Sequence, residues 1–362
     1  MVVAVLNLDE RLAQLAVNGE GTDRGQFLRL IDAGLAGMGV PLEAAERIIH
    51  HRDRPVDARL VTAHEVMADA FAGWHFTLPS DVIVEFVTHH AGLLDGLLDC
   101  PMPDAHRRRL EVVTVGAHVQ AALEAFCGGD RRSARRSFAA ARSLADDADD
   151  DTLRAQAVGV SAILHSPIEA EGLRGDSRRA VQTMRRAVHH ARRADPATRA
   201  YSYRWLGLEL AAADDAEGFL ASYEAGDRLG EPRNQPDGPG FLARNVAMTP
   251  DQVSRTRGIG LVRIGRAEEA LDALETSRDS AAHPRALVIT LADIALARVL
   301  QDEPEQSCQQ LQHALDLVPE AGYNVGLERI CGVRARFPEP WADLTCVREL
   351  DERLRAALEP GA

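Results

Sequence analysis

Residues 307–319 read SCQQLQHALDLVP, and this stretch decides the fold. Wound as a helix, it sets Ser307, Leu311 and Ala314 on one face, small, large, small at steps of four and three, and Pro319 is expected to stop the run. Small residues let a neighbouring helix approach closely, while the large one between them fills the gap. The same spacing recurs at Ala134, Phe138 and Ala141, at Ala180, Met184 and Ala187, and at Ala270, Leu274 and Ser277. Between the second and third sets, Tyr203-x2-Leu206-Gly207-x2-Leu210 is followed by Tyr223 and Gly226, the other half of a two-helix unit. Gly258 and Ala295 take the small position of the first helices in the last two units. A recurring helix pair that cannot bury its apolar face alone stacks on its neighbours. Measured from turn to turn (Asp130, Asp176, Asp215, Arg266, Asp302), the period drifts between 36 and 51 residues.

The rest of the chain agrees with an all-α protein. Aromatic residues make up 4% of the 362, and β-branched alternation is nearly absent. Helices are predicted from Asp81 to Leu98 behind Thr77 and Pro79, from Pro250 to Ile264 behind a Thr249–Gln252 capping box, and from Glu305 to Val318 behind Asp302 and Pro304. The acidic run at 146–151 reads as a solvated loop, and the Pro/Gly-rich residues 231–240 as an interruption. The net charge of -14 argues against a broad nucleic-acid-binding surface. All 41 basic residues are arginine, which excludes chemistry requiring a P-loop, Schiff-base or kinase lysine. Five dispersed cysteines without a C-x-x-C pair point to reduced thiols in a cytoplasmic chain. No leader or membrane-spanning stretch is expected.

The spacing resembles tetratricopeptide repeats, over about residues 110–336. This implies a right-handed solenoid of helical hairpins whose concave face is lined by first helices. A second resemblance runs from Asp23-Arg24-Gly25-Gln26-Phe27-Leu28, through Leu60 to Trp74 and Leu93-Leu94-x2-Leu97-Leu98, to Arg107-Arg108-Arg109-Leu110. In that order these residues are similar to the tetratricopeptide-like sensor half of actinobacterial regulators of the XRE helix-turn-helix type. The resemblance implies control of transcription or of secondary metabolism. Fewer than 25 residues precede the match, too few for a reading domain, so direct specific DNA binding is not expected. The expected organisation is a flexible segment at 1–25, a helical bundle at 26–109, and repeats at 110–358.

Candidate chemistry is sparse. The doublets His50-His51, His89-His90 and His189-His190 put adjacent rings about 100 degrees apart on a helix, so no doublet supplies two ligands to one metal. His64-Glu65-x3-Asp69 lacks the second histidine of a metalloprotease helix, and Ser161 lacks the second glycine of a nucleophile elbow. No catalytic residue, metal site or cofactor is assigned. Arginine pairs at 178–179, 185–186 and 192–193 recur every seven residues and form a basic stripe about 21 Å long. Two functions are weighed. The first is a non-catalytic regulator that holds a peptide, a small carboxylate or a partner protein in its groove, with a homodimer as one arrangement. The second is a biosynthetic enzyme built on the same scaffold, with His75 and His165 as candidate cavity residues. The resemblance to tetratricopeptide proteins puts Tyr201, Arg204, Gln252, Arg255 and Arg263 on the concave face, with Asn245 at its mouth behind the Pro/Gly stretch.

Overall fold

The computed structural model describes residues 56–75, 78–168, 175–229, 239–280, 283–321 and 324–358. The expected flexible segment at 1–25, residues 26–55 of the expected bundle, the Thr77 cap and residues 231–238 of the Pro/Gly stretch lie outside them. The described residues form helices and connections with no strand.

Three helices come first: α1 (Ala58–Trp74), α2 (Ser80–Leu98) and α3 (Asp104–Cys127). They are followed by α4 (Arg131–Asp147), α5 (Asp151–Ser161), α6 (Ser177–Ala191), α7 (Pro196–Ala211) and α8 (Ala216–Leu229). A short α9 (Gly240–Ala247) precedes α10 (Pro250–Arg263), α11 (Ala267–Ser280), α12 (Pro284–Leu300), α13 (Pro304–Ala321), α14 (Asn324–Arg334) and α15 (Thr345–Leu358). Consecutive helices pair as hairpins: α3 with α4, α5 with α6, α7 with α8, α10 with α11, and α12 with α13. The first members also pack side by side in the order α3, α5, α7, α10, α12, α14, and α14 then touches α3. This inner row therefore closes on itself.

Burial separates the two classes of helix. Every residue from Val113 to Cys127 in α3 is buried, and so is every residue from Thr290 to Ala297 in α12, because inner helices meet neighbours on all sides. Outer helices bury one stripe: in α4 only Ala134, Phe138, Ala141 and Ala145 are buried. All twelve residues of the small-large-small spacing are 0–1% exposed. Close approach explains the small ones, since a Cβ on Gly258 would sit 2.6 Å from Leu274 Cγ. Helix α3 is long and apolar enough to cross a membrane, yet 83% of that stretch is buried inside the protein, as in a core helix.

Two local expectations are corrected. The acidic run is a solvated connection only over residues 148–150, shorter than expected. Helix α4 continues to Asp147 and α5 starts at Asp151, because Asp150 caps α5 and Arg154 gathers Asp146, Asp149 and Asp151 at 3.2, 2.8 and 3.3 Å. Helix α13 runs past Pro319 to Ala321, since a proline near the end removes one backbone donor without breaking the turns before it. The boundary expected at 109/110 falls inside α3, so the front helices and the repeats share one element.

Two segments enter the ring formed by the inner helices. Helix α9 packs against α1, α3 and α7, and Arg244 Nε and Nη2 hold it to Asp69 on α1 at 2.9 and 2.8 Å. The connection after α5 delivers Ile168, 1% exposed, into the core shared with α12 and α14, where Arg329 donates to its carbonyl.

Candidate functional site

The inner faces of α3, α5, α7, α10 and α12, together with α9 and His75, surround a cavity holding about 970 Å³ of empty space, its open mouth included. Helical spacing decides what points there. On α7, Tyr201, Trp205 and Glu209 lie four residues apart and share the lining face; on α10, Arg255 and Thr256 follow Gln252 by three and four residues and line the cavity with it. Leu123, Val160, Ile163, Met248 and Ile289 make most of the remaining surface apolar.

Three of the five residues expected on the concave face, Tyr201, Gln252 and Arg255, meet in this cavity, together with Asn245, which was expected at its mouth. Asn245 Nδ2 donates to Tyr201 Oη at 2.9 Å, joining α9 to α7. Gln252 is oriented by its capping role, its Oε1 accepting from the Thr249 backbone N–H at 2.9 Å. Arg204 and Arg263 stand elsewhere. Arg204, next to Trp205 and so rotated by about 100 degrees, turns toward α8 and donates to Asp227 at 3.1 and 3.2 Å. Arg263 lies eight residues beyond Arg255, about 12 Å along the axis. There it pairs with the buried Asp293 at 3.1 Å, an acid shared with Arg329. Both arginines serve helix packing rather than the cavity.

Sequence reasoning missed several wall residues. Trp205 is one: its Nε1 is out of contact with solvent and has no acceptor among the described residues. The four-residue step from Tyr201 could have signalled it. The polar end of the wall had no such signal. His75 Nδ1 lies 2.6 Å from Glu124 Oε1, and Glu124 Oε2 accepts from Ser80 Oγ at 2.9 Å and from Arg285 Nη1 at 3.0 Å. Arg285 Nη2 also donates to the Leu78 carbonyl at 2.7 Å. Burial by itself would raise the Glu124 carboxyl. The charge and hydrogen bond of His75, followed by those of Arg285, outweigh it and hold the group below the usual carboxylate range. His165 does not line this cavity.

The remaining histidines divide. His50 and His51 lie outside the described residues. His64 Nδ1 and His90 Nε2 meet at 3.0 Å inside the α1–α3 bundle, their rings stacked at 5.2 Å. Among the described residues no group of three His, Cys, Asp or Glu side chains is placed to hold a metal ion.

No family model matches the sequence, and no curated protein matches it. Among solved structures, the crystal structure of the P58(IPK) TPR domain aligns over 99% of this chain and 96% of that one at 14% identity, with a TM-score of 0.24. That overlap is too low to carry an argument, and the fold rests on the helix pairing described above.

Proposed function

We propose that this chain is a helical-repeat binding protein that holds a small molecule with an apolar body and a carboxylate head in the cavity at the centre of its inner helices. The observation that carries the reading is the convergence of Tyr201, Trp205, Asn245, Gln252 and Arg255 from three helices onto one largely apolar space. Arg255 suits a carboxylate oxygen, and the buried Trp205 N–H offers a donor that the described protein leaves without an acceptor. Glu209 in the same wall favours a head that also carries a donor, such as a hydroxyl or an amine. Closure of the ring by α14 and α9 favours a small molecule over an extended peptide.

Helix α9 connects the cavity with the front helices through Arg244 and Asp69. Occupancy sensed by Asn245 is thereby passed to α1, which suits a regulator; the resemblance of residues 23–110 to regulator sensor halves is what links this role to transcription or secondary metabolism. Calorimetry against a panel of small carboxylates tests the reading. A binder should lose ten- to hundred-fold in affinity in the Asn245→Ala/Arg255→Ala protein, consistent with about 1.5–3 kcal/mol for a charged hydrogen bond. Arg204→Ala should lower stability and leave affinity unchanged. A panel in which no compound binds, or an affinity indifferent to the double substitution, removes the cavity from consideration.

His75 supports a second reading, proton-transfer catalysis in the same cavity, because its imidazole is oriented by a buried carboxylate at 2.6 Å. A compound recovered chemically changed from the wild type and unchanged from His75→Gln would establish it.

A further inference from the structure

The basic stripe noted in the sequence lies far from the cavity wall, on outer helices. From Arg131 to Ala145, α4 carries Arg131, Arg132, Arg135, Arg136 and Arg142 without a single carboxylate. From Ser177 to Ala194, α6 and the residues after it carry three arginine pairs and again no carboxylate. The two helices flank α5, and between them opens a groove lined by Arg142, Asp146, Arg154, Val158, Arg186 and His190, with about 610 Å³ of empty space including its mouth.

The charges in this groove are unequally used. Arg154 is occupied by Asp146, Asp149 and Asp151. Among the described residues no carboxylate pairs with Arg135, Arg142 or Arg186. Among the described carboxylates Arg179 pairs with Asp176 alone, at 3.2 Å. Two histidines report the crowding. His165, after α5, is held below its usual value by burial and by Arg179, Arg135 and Arg142; His190, in the groove wall, is lowered by burial, then by His189, with Arg154 and Arg186 also contributing. Arg135, Arg142 and Arg186 therefore stand on this surface without a paired carboxylate among the described residues, although Asp146, Asp151 and Asp176 lie nearby, in a protein whose net charge is -14.

We propose that the groove between α4 and α6 is a docking site for an acidic segment of a partner protein. Complementary charge is the first argument. The second is length. Arginine pairs seven residues apart lie about 10.5 Å from one another, so the stripe spans about 21 Å and presents cations at every second turn. A short acidic helix or extended segment matches that length. Its ends are bounded by acids, Asp130 and Asp176 on one side and Asp146 to Asp151 with Asp195 on the other, which would repel a nucleic-acid duplex running past. The exposed faces of α4 and α6 carry no Phe, Tyr or Trp side chain for base stacking. The large apolar residues that stand exposed among the described residues, Val112, Leu220, Leu300 and Leu358, belong to neither helix, so the patch offers nothing to insert into a lipid surface.

The test titrates the full chain against a fluorescent twelve-residue peptide of alternating glutamate and alanine, at 50 and 200 mM salt. The wild type should bind, more weakly at the higher salt. Arg142→Glu/Arg186→Glu should weaken binding at least tenfold with unchanged circular dichroism and melting temperature, and the neutral Arg142→Gln/Arg186→Gln should fall in between. Arg348→Glu/Arg355→Glu, two exposed arginines on α15 reversed with the same change in net charge, should stay within twofold of the wild type. Equal losses in the groove and α15 variants would reduce the effect to overall charge and overturn the proposal. So would unchanged binding after groove reversal. Tighter groove-dependent binding of pyrophosphate, of a twenty-base-pair duplex or of phosphatidylserine vesicles than of the peptide would also overturn it and assign the groove to that anion.

Discussion

Glu124 sits in the last turn of α3, among buried residues, and is 0% exposed, an arrangement that is stable only because its oxygens meet His75, Ser80 and Arg285. Removing one partner strands the charge. Arg285→Met should cost about 3–5 kcal/mol in urea unfolding, and adding Glu124→Leu to it should recover much of that loss. His90 makes the opposite choice, staying neutral. Burial pushes its imidazole from 6.5 down to about 3. Below pH 6.5 the unfolded chain binds a proton that the folded chain refuses, so stability is full above that pH and falls as pH drops toward 3. The slope should approach 1.4 kcal/mol per pH unit. Unfolding midpoints measured from pH 7 to pH 5 should show it, and His90→Leu should flatten the curve. None of these pairings was legible in the chain. Glu124 and Arg285 are 161 positions apart, and no local pattern links them.

At the scale of one helix the sequence was far more informative, because a small residue at a crossing acts through its immediate neighbour. Gly258 on α10 faces Leu274 on α11 at a distance that leaves no room for a methyl group. Gly258→Ala should therefore cost about 1–3 kcal/mol through overpacking. Gly92 on α2 is exposed and nothing lies within 4 Å of its missing Cβ, so Gly92→Ala should gain about 0.5–1 kcal/mol. Thermal melts of the two proteins should move in opposite directions. Turn residues were readable for the same reason: Asp130 and Asp176 accept from backbone N–H groups two or three residues ahead, an entirely local bond. The acidic run holds the expected connection at residues 148–150, but its length was overestimated, because a polar stretch reads as loop whether or not an arginine three positions later gathers it. Arg154 holds Asp146 and Asp151 at the ends of the flanking helices.

Closure distinguishes the whole molecule from an open array. Arg131 meets Glu328 at 3.2 Å, Asn324 donates to the Gly128 carbonyl at 3.1 Å, Arg329 reaches the Ile168 carbonyl, and Arg285 reaches Glu124. A linear stack can unfold from its ends, whereas these long-range bonds tie the last inner helices to the first. The three tryptophans sit where this can be read: Trp74 in the front helices, Trp205 in the cavity wall and Trp341 near the end of the chain. Variants keeping one tryptophan each should unfold in urea at a common midpoint, coincident with the loss of helicity. Separate midpoints for Trp74 and Trp341 would mean that the closing contacts do not couple the two ends.

The sequence by itself determined the helices, their pairing and the residues at their crossings, since each depends on contacts within one hairpin and repeats with a readable period. It also placed Tyr201, Gln252 and Arg255 on inner helices. Only the tertiary structure decided which side chains share a space. A rotation of about 100 degrees sends Arg204 to Asp227 and Trp205 to the cavity, and a displacement of about 12 Å gives Arg263 to Asp293. Which face of an inner helix looks inward depends on ring closure, α9 and the Ile168 segment. The contacts that tie α9 to α1, Arg329 to Ile168 and Arg131 to Glu328 join residues more than a hundred positions apart, where no periodicity along the chain can carry the information.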